Sequence, residues 1–270
     1  MSIKSLLALA LGSLIAMFGG GCGGGSSGSA AGATAAASGD FAIPPATADI
    51  SLLFMGNSHT SFNNLPGMVA AMVHAGKPAK TVAVVEAPGW MFLDERVADI
   101  PSLNLLRSQN WSFVLLQAQK YSSSGQFTYS TTEAEELVRM SRRQRAVPVM
   151  FPEWPRRSIA ETQLIYDLHV SIARNEPACV APVPQAWDLA LARYPSLTLY
   201  DADGNHSAPA GAFLAALVLY ATITGLSPVD LPPLTQLSVD TETQSKLRAI
   251  ATETVQTIAP RLWCPNDKAM

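Results

Sequence analysis

Short apolar segments alternate with longer amphipathic segments along most of the chain. Apolar runs bounded by turn residues predict buried strands at residues 50–55, 81–86, 111–117, 147–151 and 179–184. Apolar positions with helical spacing predict helices at residues 65–75, 132–145, 159–174, 185–193, 209–224 and 241–258. Because strands and helices alternate, this order predicts an α/β domain in which a parallel sheet of about five strands carries helices on both faces.

The first 47 residues follow a different pattern. Residues 1–21 contain Lys4 and an apolar run from Leu6 to Phe18 that is followed by three glycines, which is the layout of a secretory signal peptide. Cys22 comes directly after these small residues and resembles the cysteine of a bacterial lipobox. We therefore expect an exported protein with a lipid on Cys22; plain secretion after cleavage nearby is the alternative. Residues 22–47, rich in Gly, Ser and Ala, have the composition of a flexible tether, which leaves residues 48–270 for the folded domain.

Composition and charge exclude several classes of protein. The chain is 48% apolar and 14% charged, which argues against disorder, and its net charge of -3 argues against nucleic-acid binding driven by positive charge. It contains no P-loop, no Gly-x-Gly-x-x-Gly after a strand and no His-Glu-x-x-His, so we expect no cofactor and no metal. Cys179 and Cys264 either form a disulfide outside the cytoplasm or remain two thiols, and their spacing does not indicate a zinc site.

A serine follows the first predicted strand, in the segment Gly56-Asn57-Ser58-His59. Parallel α/β sheets carry their chemistry at the carboxyl ends of the strands, and Ser58 stands at such an end. Backbone N–H groups that precede a helix can also stabilise an oxyanion. Taken alone, however, Gly-Asn-Ser is equally typical of an ordinary turn.

A second polar segment, which contains Asp203, Gly204 and His206, lies just before a predicted helix. A carboxylate three residues before a histidine can accept the Nδ1–H of the imidazole and leave Nε2 free for a hydroxyl group. The segment also fits an ordinary turn. A calcium loop fits less well, because Ala212 stands where such a loop has glutamate.

Taken together, the two segments resemble the SGNH, or GDSL-like, hydrolases over most of residues 48–260. The resemblance implies a flavodoxin-like three-layer α/β/α sandwich and a carboxylic ester hydrolase with Ser58 as nucleophile, His206 as base and Asp203 as its orienting carboxylate. The chain departs from the family pattern at two places. Asn57 replaces the aspartate of the first block, and the Gly-x-Asn-Asp of the third block is missing.

The same resemblance implies an oxyanion hole. Its donors are the N–H of Ser58, the N–H of Gly89 after the second strand, and a glutamine amide in place of the family's asparagine. Counting along the strand aligns Gln119 with that asparagine, whereas position at the strand end favours Gln117, which we prefer.

Four further residues, Asn57, His59, Trp90 and Trp154, stand at strand ends and are predicted to form the rim of the pocket, although both tryptophans also fit a packing role. The predicted function is an exported serine esterase for small acyl esters, with O-acetyl groups on glycans as the leading substrate. We expect no nucleic-acid partner and membrane contact only through a lipid on Cys22. The alternatives are a non-catalytic glycan-binding surface protein and a lipase or polyester-cleaving enzyme.

Overall fold

The computed structural model describes residues 48–270, so the predicted signal peptide, the tether and Cys22 lie outside the described residues. The strands are Ile50–Met55 (β1), Val82–Glu86 (β2), Phe113–Leu116 (β3), Val147–Met150 (β4) and Cys179–Val180 (β5). The helices are Ser58–Ser61 (α1), Leu65–Gly76 (α2), Leu93–Arg96 (α3), Ile100–Arg107 (α4), Thr132–Arg143 (α5), Thr162–Asn175 (α6), Val183–Arg193 (α7), Pro209–Thr224 (α8) and Thr241–Thr257 (α9).

The five strands form one parallel sheet in the order β2-β1-β3-β4-β5. β1 lies between β2 and β3, with Leu53 paired to Val85 on one side and to Val114 on the other. The carboxyl ends of β1, β2 and β3 therefore meet at one edge of the sheet. The parallel five-stranded sheet predicted from the sequence is confirmed.

Side chains along β1 alternate between two separate cores. Ile50, Leu52 and Phe54 pack with α2 and α7 to α9 on one face of the sheet, while Leu53 and Met55 pack with α3 to α6 on the other. A parallel strand buried on both faces needs a continuous apolar sequence, which explains the run at residues 50–55. The result is the predicted three-layer α/β/α sandwich.

Several predicted elements end earlier or begin later than expected. α5 stops at Arg143, shortly before Arg145, which adopts a left-handed conformation with φ of 61°. α6 begins at Thr162, three residues later than predicted. The fifth strand is short because the chain enters α7 at Val183. α4 was not predicted, although its start carries a visible signal. The carboxylate of Asp99 accepts a hydrogen bond from the N–H of Ser102 at 2.9 Å.

Helix α8 is apolar on all sides, because it is enclosed by α2, α7 and α9 within the larger core. Of its 16 residues, all from Gly211 to Thr224 are buried. Within residues 48–270, no helix is both long enough and apolar enough to cross a membrane.

A disulfide joins Cys179 in β5 to Cys264 near the end of the chain. The N–H of Val180 also donates to the carbonyl of Pro260 at 2.9 Å, and Arg142 of α5 forms an ion pair with Asp267 at 2.8 Å. These contacts hold the C-terminal segment against the edge strand of the sheet.

Candidate active site

The turn after β1 carries Ser58 at the first position of α1. Asn57 caps this helix, since its Oδ1 accepts a hydrogen bond from the N–H of His59 at 3.0 Å. The side chain of an aspartate at this position could cap the helix in the same way. A side chain at Gly56 would place its Cβ 2.1 Å from Thr60 Oγ1 and 2.6 Å from Gln117 Oε1, so only glycine fits there.

The loop that carries Asp203 and His206 is held by its own aspartate. Oδ1 of Asp203 accepts hydrogen bonds from the N–H groups of Asn205 and His206, both at 2.9 Å. The other oxygen, Oδ2, lies 2.5 Å from His206 Nδ1. One carboxylate therefore fixes the backbone of the loop and the orientation of the imidazole ring.

The two loops bring Ser58, His206 and Asp203 together. His206 Nε2 lies 2.8 Å from Ser58 Oγ, a hydrogen-bonding distance, across a sequence separation of 148 residues. The hydrogen bond from His206 holds the pKa of Asp203 well below its usual range, so that carboxylate is ionised at neutral pH. The ring of Phe62 stacks on the imidazole with the two centroids 4.0 Å apart.

Two side chains outside this constellation tie the loops in place, and sequence reasoning missed one of them. Asn63, in a left-handed conformation with φ of 56°, donates from Nδ2 to the carbonyl of Ser207 at 2.7 Å. Trp154 donates from Nε1 to the carbonyl of Asn205 at 2.8 Å. The two consecutive asparagines, Asn63 and Asn64, could have indicated a left-handed turn here, because asparagine tolerates the left-handed conformation better than most residues do.

The residues predicted to form the pocket rim have different environments. Trp154 borders the cavity, and because it is only 1% exposed and stacks on Trp187 at 4.5 Å, it also has the packing role considered from the sequence. His59 lies between Trp154 and His206, with ring centroids 5.2 and 5.1 Å away, and burial lowers its pKa to about 4. Asn57 and Trp90 border the cavity, and Trp90 is 64% exposed.

Two of the expected oxyanion donors are available. Among residues 48–270, no acceptor is hydrogen-bonded to the N–H of Ser58 or to the N–H of Gly89. Gly89 follows β2, is solvent-exposed and has φ of 74°, a conformation that glycine adopts without strain.

The two glutamines expected as alternative third donors differ in position and in hydrogen bonding. Gln117 is 1% exposed and does not border the cavity; its Oε1 accepts from the N–H of Asn57 and from Thr60 Oγ1, both at 2.9 Å. Gln119 does border the cavity, but its amide nitrogen donates to the carbonyls of Lys120 at 3.1 Å and Ser130 at 2.9 Å. The side-chain oxygen of Gln117 therefore supports the turn that carries Ser58, and Gln119 anchors the loop after β3.

The cavity beside Ser58 and His206 has a volume of about 700 Å³. Its aromatic lining consists of His59, His206, Trp90, Phe92, Tyr121, Tyr129 and Trp154. The remaining lining is polar or charged, and among residues 48–270 no aliphatic side chain borders the cavity. Trp90 is held by a hydrogen bond from Nε1 to Ser61 Oγ at 3.0 Å. Glu153 borders the same cavity, and burial raises its pKa to about 7.

Solved structures share this architecture. A protein from Slackia heliotrinireducens assigned to the SGNH hydrolases matches with a TM-score of 0.50 and 25% identity, over 64% of this chain and 98% of that one. The chain has the SGNH/GDSL-like hydrolase fold. A DUF4886 family protein from Bacteroides uniformis shares the fold with a TM-score of 0.61 and 16% identity, over 82% of this chain and 97% of that one. No family model and no curated protein sequence matches the chain.

Within this SGNH fold, the described residues contain one cluster of metal-ligand types, Cys179, Cys264 and Asp267. Both cysteines of that cluster are joined in the disulfide, so neither is a thiolate that could bind an ion. The cavity is the place in this SGNH fold where Ser58 and His206 are hydrogen-bonded to each other beside open space.

Proposed function

We propose that this SGNH-fold protein is a serine hydrolase of carboxylic esters, with Ser58 as nucleophile, His206 as general base and Asp203 as the carboxylate that orients the imidazole. The observation that carries the proposal is the continuous pair of contacts from Ser58 Oγ to His206 Nε2 at 2.8 Å and from His206 Nδ1 to Asp203 Oδ2 at 2.5 Å. This arrangement has the geometry of a nucleophile activated by an oriented base.

The reaction follows from these positions. His206 Nε2 takes the proton of Ser58 Oγ as that oxygen attacks the ester carbonyl, and the ionised Asp203 stabilises the imidazolium that forms. His206 then gives the proton to the departing alcohol, which leaves an acyl group on Ser58. Water, activated by the same imidazole, hydrolyses the acyl-enzyme and regenerates the serine.

The N–H groups of Ser58 and Gly89 are the proposed donors to the oxyanion of the tetrahedral intermediate. A single donor of this kind contributes roughly 3 kcal/mol to transition-state stabilisation. Gln117 does not border the cavity, and the amide nitrogen of Gln119 already donates to two carbonyls, so the two backbone donors carry this role in the proposed mechanism.

The lining of the cavity favours a small acyl group on a polar alcohol. Aromatic walls with hydrogen-bonding groups between them suit a sugar ring, which presents apolar C–H faces and polar hydroxyls. Trp90 offers an exposed ring for such stacking, and its Nε1 is bonded to Ser61 Oγ. A long fatty acyl chain needs an aliphatic channel, and none of the described residues that border the cavity has an aliphatic side chain. We therefore propose O-acetyl groups on glycans as the substrate in preference to lipids or polyesters. Export and lipidation of Cys22 belong to the same proposal and rest on the sequence alone.

Hydrolysis of p-nitrophenyl acetate, butyrate and octanoate by the wild-type protein and by Ser58→Ala tests this proposal, with Ser171→Ala in α6 as the matched serine control. We expect kcat/KM to fall from acetate to octanoate, and Ser58→Ala to lose roughly a thousandfold or more of the activity. Equal rates for Ser58→Ala and the wild type would refute the serine mechanism. If no ester is hydrolysed but Ser58→Ala still binds an acetylated oligosaccharide, the non-catalytic glycan-binding alternative replaces the esterase.

A further inference from the structure

Arg96, the last residue of α3, is completely buried beneath the candidate active site. Its Nη2 donates to the carbonyls of Gly56 at 2.6 Å and Gly89 at 2.7 Å. Its Nη1 donates to the carbonyl of Pro88 at 3.2 Å and to Ser102 Oγ at 2.7 Å. One guanidinium group thus links the loop after β1, which carries Ser58, to the loop after β2.

The bond to Pro88 determines the direction of one proposed oxyanion donor. The carbonyl of Pro88 and the N–H of Gly89 belong to the same peptide unit, and in a trans peptide these two groups point in opposite directions. Because Arg96 holds the carbonyl from the buried side, the N–H of Gly89 is directed away from the guanidinium. The second bond, to the carbonyl of Gly89 itself, fixes the next peptide unit as well.

The peptide unit before Asn57 is held at both of its polar ends. Its carbonyl, that of Gly56, accepts from Arg96, and its N–H, that of Asn57, donates to Gln117 Oε1 at 2.9 Å. The next N–H along the chain is that of Ser58, the other proposed donor. The N–H of Gly89 therefore lies in a peptide unit that Arg96 holds, and the N–H of Ser58 lies in the peptide unit that follows one.

We propose that Arg96 is a positioning residue of the oxyanion hole, which aligns the N–H groups of Ser58 and Gly89 by binding the carbonyls of Gly56, Pro88 and Gly89. This inference rests on the proposed function. The planar guanidinium is essential to the role, because its fork of donors spans acceptors in two separate loops. Lysine keeps the charge but concentrates it on one nitrogen, and so cannot reach the same set of carbonyls.

The test compares Arg96→Lys with Arg261→Lys. Arg261 is a matched control because its guanidinium also binds two main-chain carbonyls, those of Thr222 at 2.8 Å and Asp267 at 2.7 Å, and it does not border the cavity. Two readouts are needed: kcat and KM for p-nitrophenyl acetate, and amide hydrogen exchange of residues 56–61 and 87–92. The melting temperature of each variant gives the structural cost of replacing its arginine, which is buried at position 96 and partly exposed at position 261.

We expect Arg96→Lys to lower kcat roughly 10- to 100-fold with little change in KM, and to accelerate exchange in both segments. Arg261→Lys should show a similar fall in melting temperature with kcat close to that of the wild type. Equal kcat values for the two variants, or unchanged exchange in residues 87–92, would overturn the positioning role. A wild-type protein without esterase activity whose exchange still rises in Arg96→Lys would refute the proposed function while supporting the alignment of the loops by Arg96.

Discussion

The side-chain oxygen of Gln117 accepts a hydrogen bond at 2.9 Å from the N–H of Asn57, the residue immediately before Ser58. Thr60 Oγ1 donates to the same oxygen at 2.9 Å, so a buried glutamine at the end of β3 fixes the turn at the end of β1. The position of Ser58 therefore depends on the contact between neighbouring strands as well as on its own loop.

Gln117→Leu keeps the approximate size of the side chain but leaves the N–H of Asn57 and the hydroxyl of Thr60 without their acceptor. We expect the free energy of unfolding to fall by about 1–3 kcal/mol and kcat for ester hydrolysis to fall at least tenfold, because a buried unpaired donor displaces the turn. Gln244→Leu is the control, since Gln244 is equally buried and bonds Leu234 and Val239 away from the cavity. Equal kcat losses in both variants would contradict a specific role for Gln117.

Asp203→Asn separates the two roles of that carboxylate. An asparagine oxygen can still accept the N–H groups of Asn205 and His206, so we expect the melting temperature to change little. The ionised oxygen facing His206 Nδ1 is lost, and kcat should fall by roughly 10³- to 10⁴-fold. Asp240→Asn, which keeps a comparable cap on Thr243 in α9, should leave kcat unchanged. Wild-type turnover in Asp203→Asn would exclude Asp203 from the mechanism.

Glu153 gives the protein a stability that depends on pH. Burial raises the pKa of its carboxyl from 4.5 to about 7 in the folded chain, with Glu161 acting in the same direction and Arg156 against it. A folded pKa above the unfolded value stabilises the protein below pH 4.5, and this contribution is lost as the pH rises through about 7. By linkage, the change amounts to at most about 3 kcal/mol.

Glu153→Gln should therefore have a larger free energy of unfolding than the wild type at pH 8. The free energy of unfolding of the variant should change little between pH 5 and pH 8, as measured by urea unfolding at both values. Glutamine carries no charge to desolvate at the same buried position. Glu242→Gln is the control, because Glu242 is exposed, and its free energy of unfolding should match that of the wild type at both pH values. A variant that is less stable than the wild type at pH 8 would mean that the Glu153 carboxylate is stabilised by its surroundings.

The disulfide between Cys179 and Cys264 closes a loop with a sequence separation of 85 residues. On the chain-entropy estimate, cross-linking a loop of this length stabilises the folded state by about 4–5 kcal/mol. The double variant Cys179→Ala/Cys264→Ser should therefore unfold at a lower urea concentration, by an amount that matches reduction of the wild type with dithiothreitol. Insensitivity of the wild type to the reductant would contradict this role for the disulfide.

Some of these features were predictable from sequence and others were not. β1 and α8 agree with the predicted ranges because their apolar runs are long and have clear turn residues at both ends. The alternation of strands and helices predicts the fold. The family resemblance predicts that Ser58, Asp203 and His206 belong to one site. By contrast, Arg96 and Gln117 act through contacts made only when loops from different strands meet, and no local pattern marks such contacts.

Trp154 illustrates the same limit. Its position after β4 left open a place at the pocket rim and a packing role, and in the structure Trp154 borders the cavity while its ring is almost completely buried. Stacking on Trp187 and a hydrogen bond to the carbonyl of Asn205 favour the buried position. The outcome depends on a partner 33 positions further along the chain, which periodicity does not indicate.

The central claim is that Ser58 is a nucleophile activated by His206. Mass spectrometry of the intact protein and of its peptides after exposure to a fluorophosphonate tests it most directly. We predict one adduct per chain, located on Ser58, formed at least a hundredfold more slowly in His206→Ala, and absent from Ser58→Ala. An adduct on another residue, or labelling of the wild type no faster than that of His206→Ala, would contradict the account.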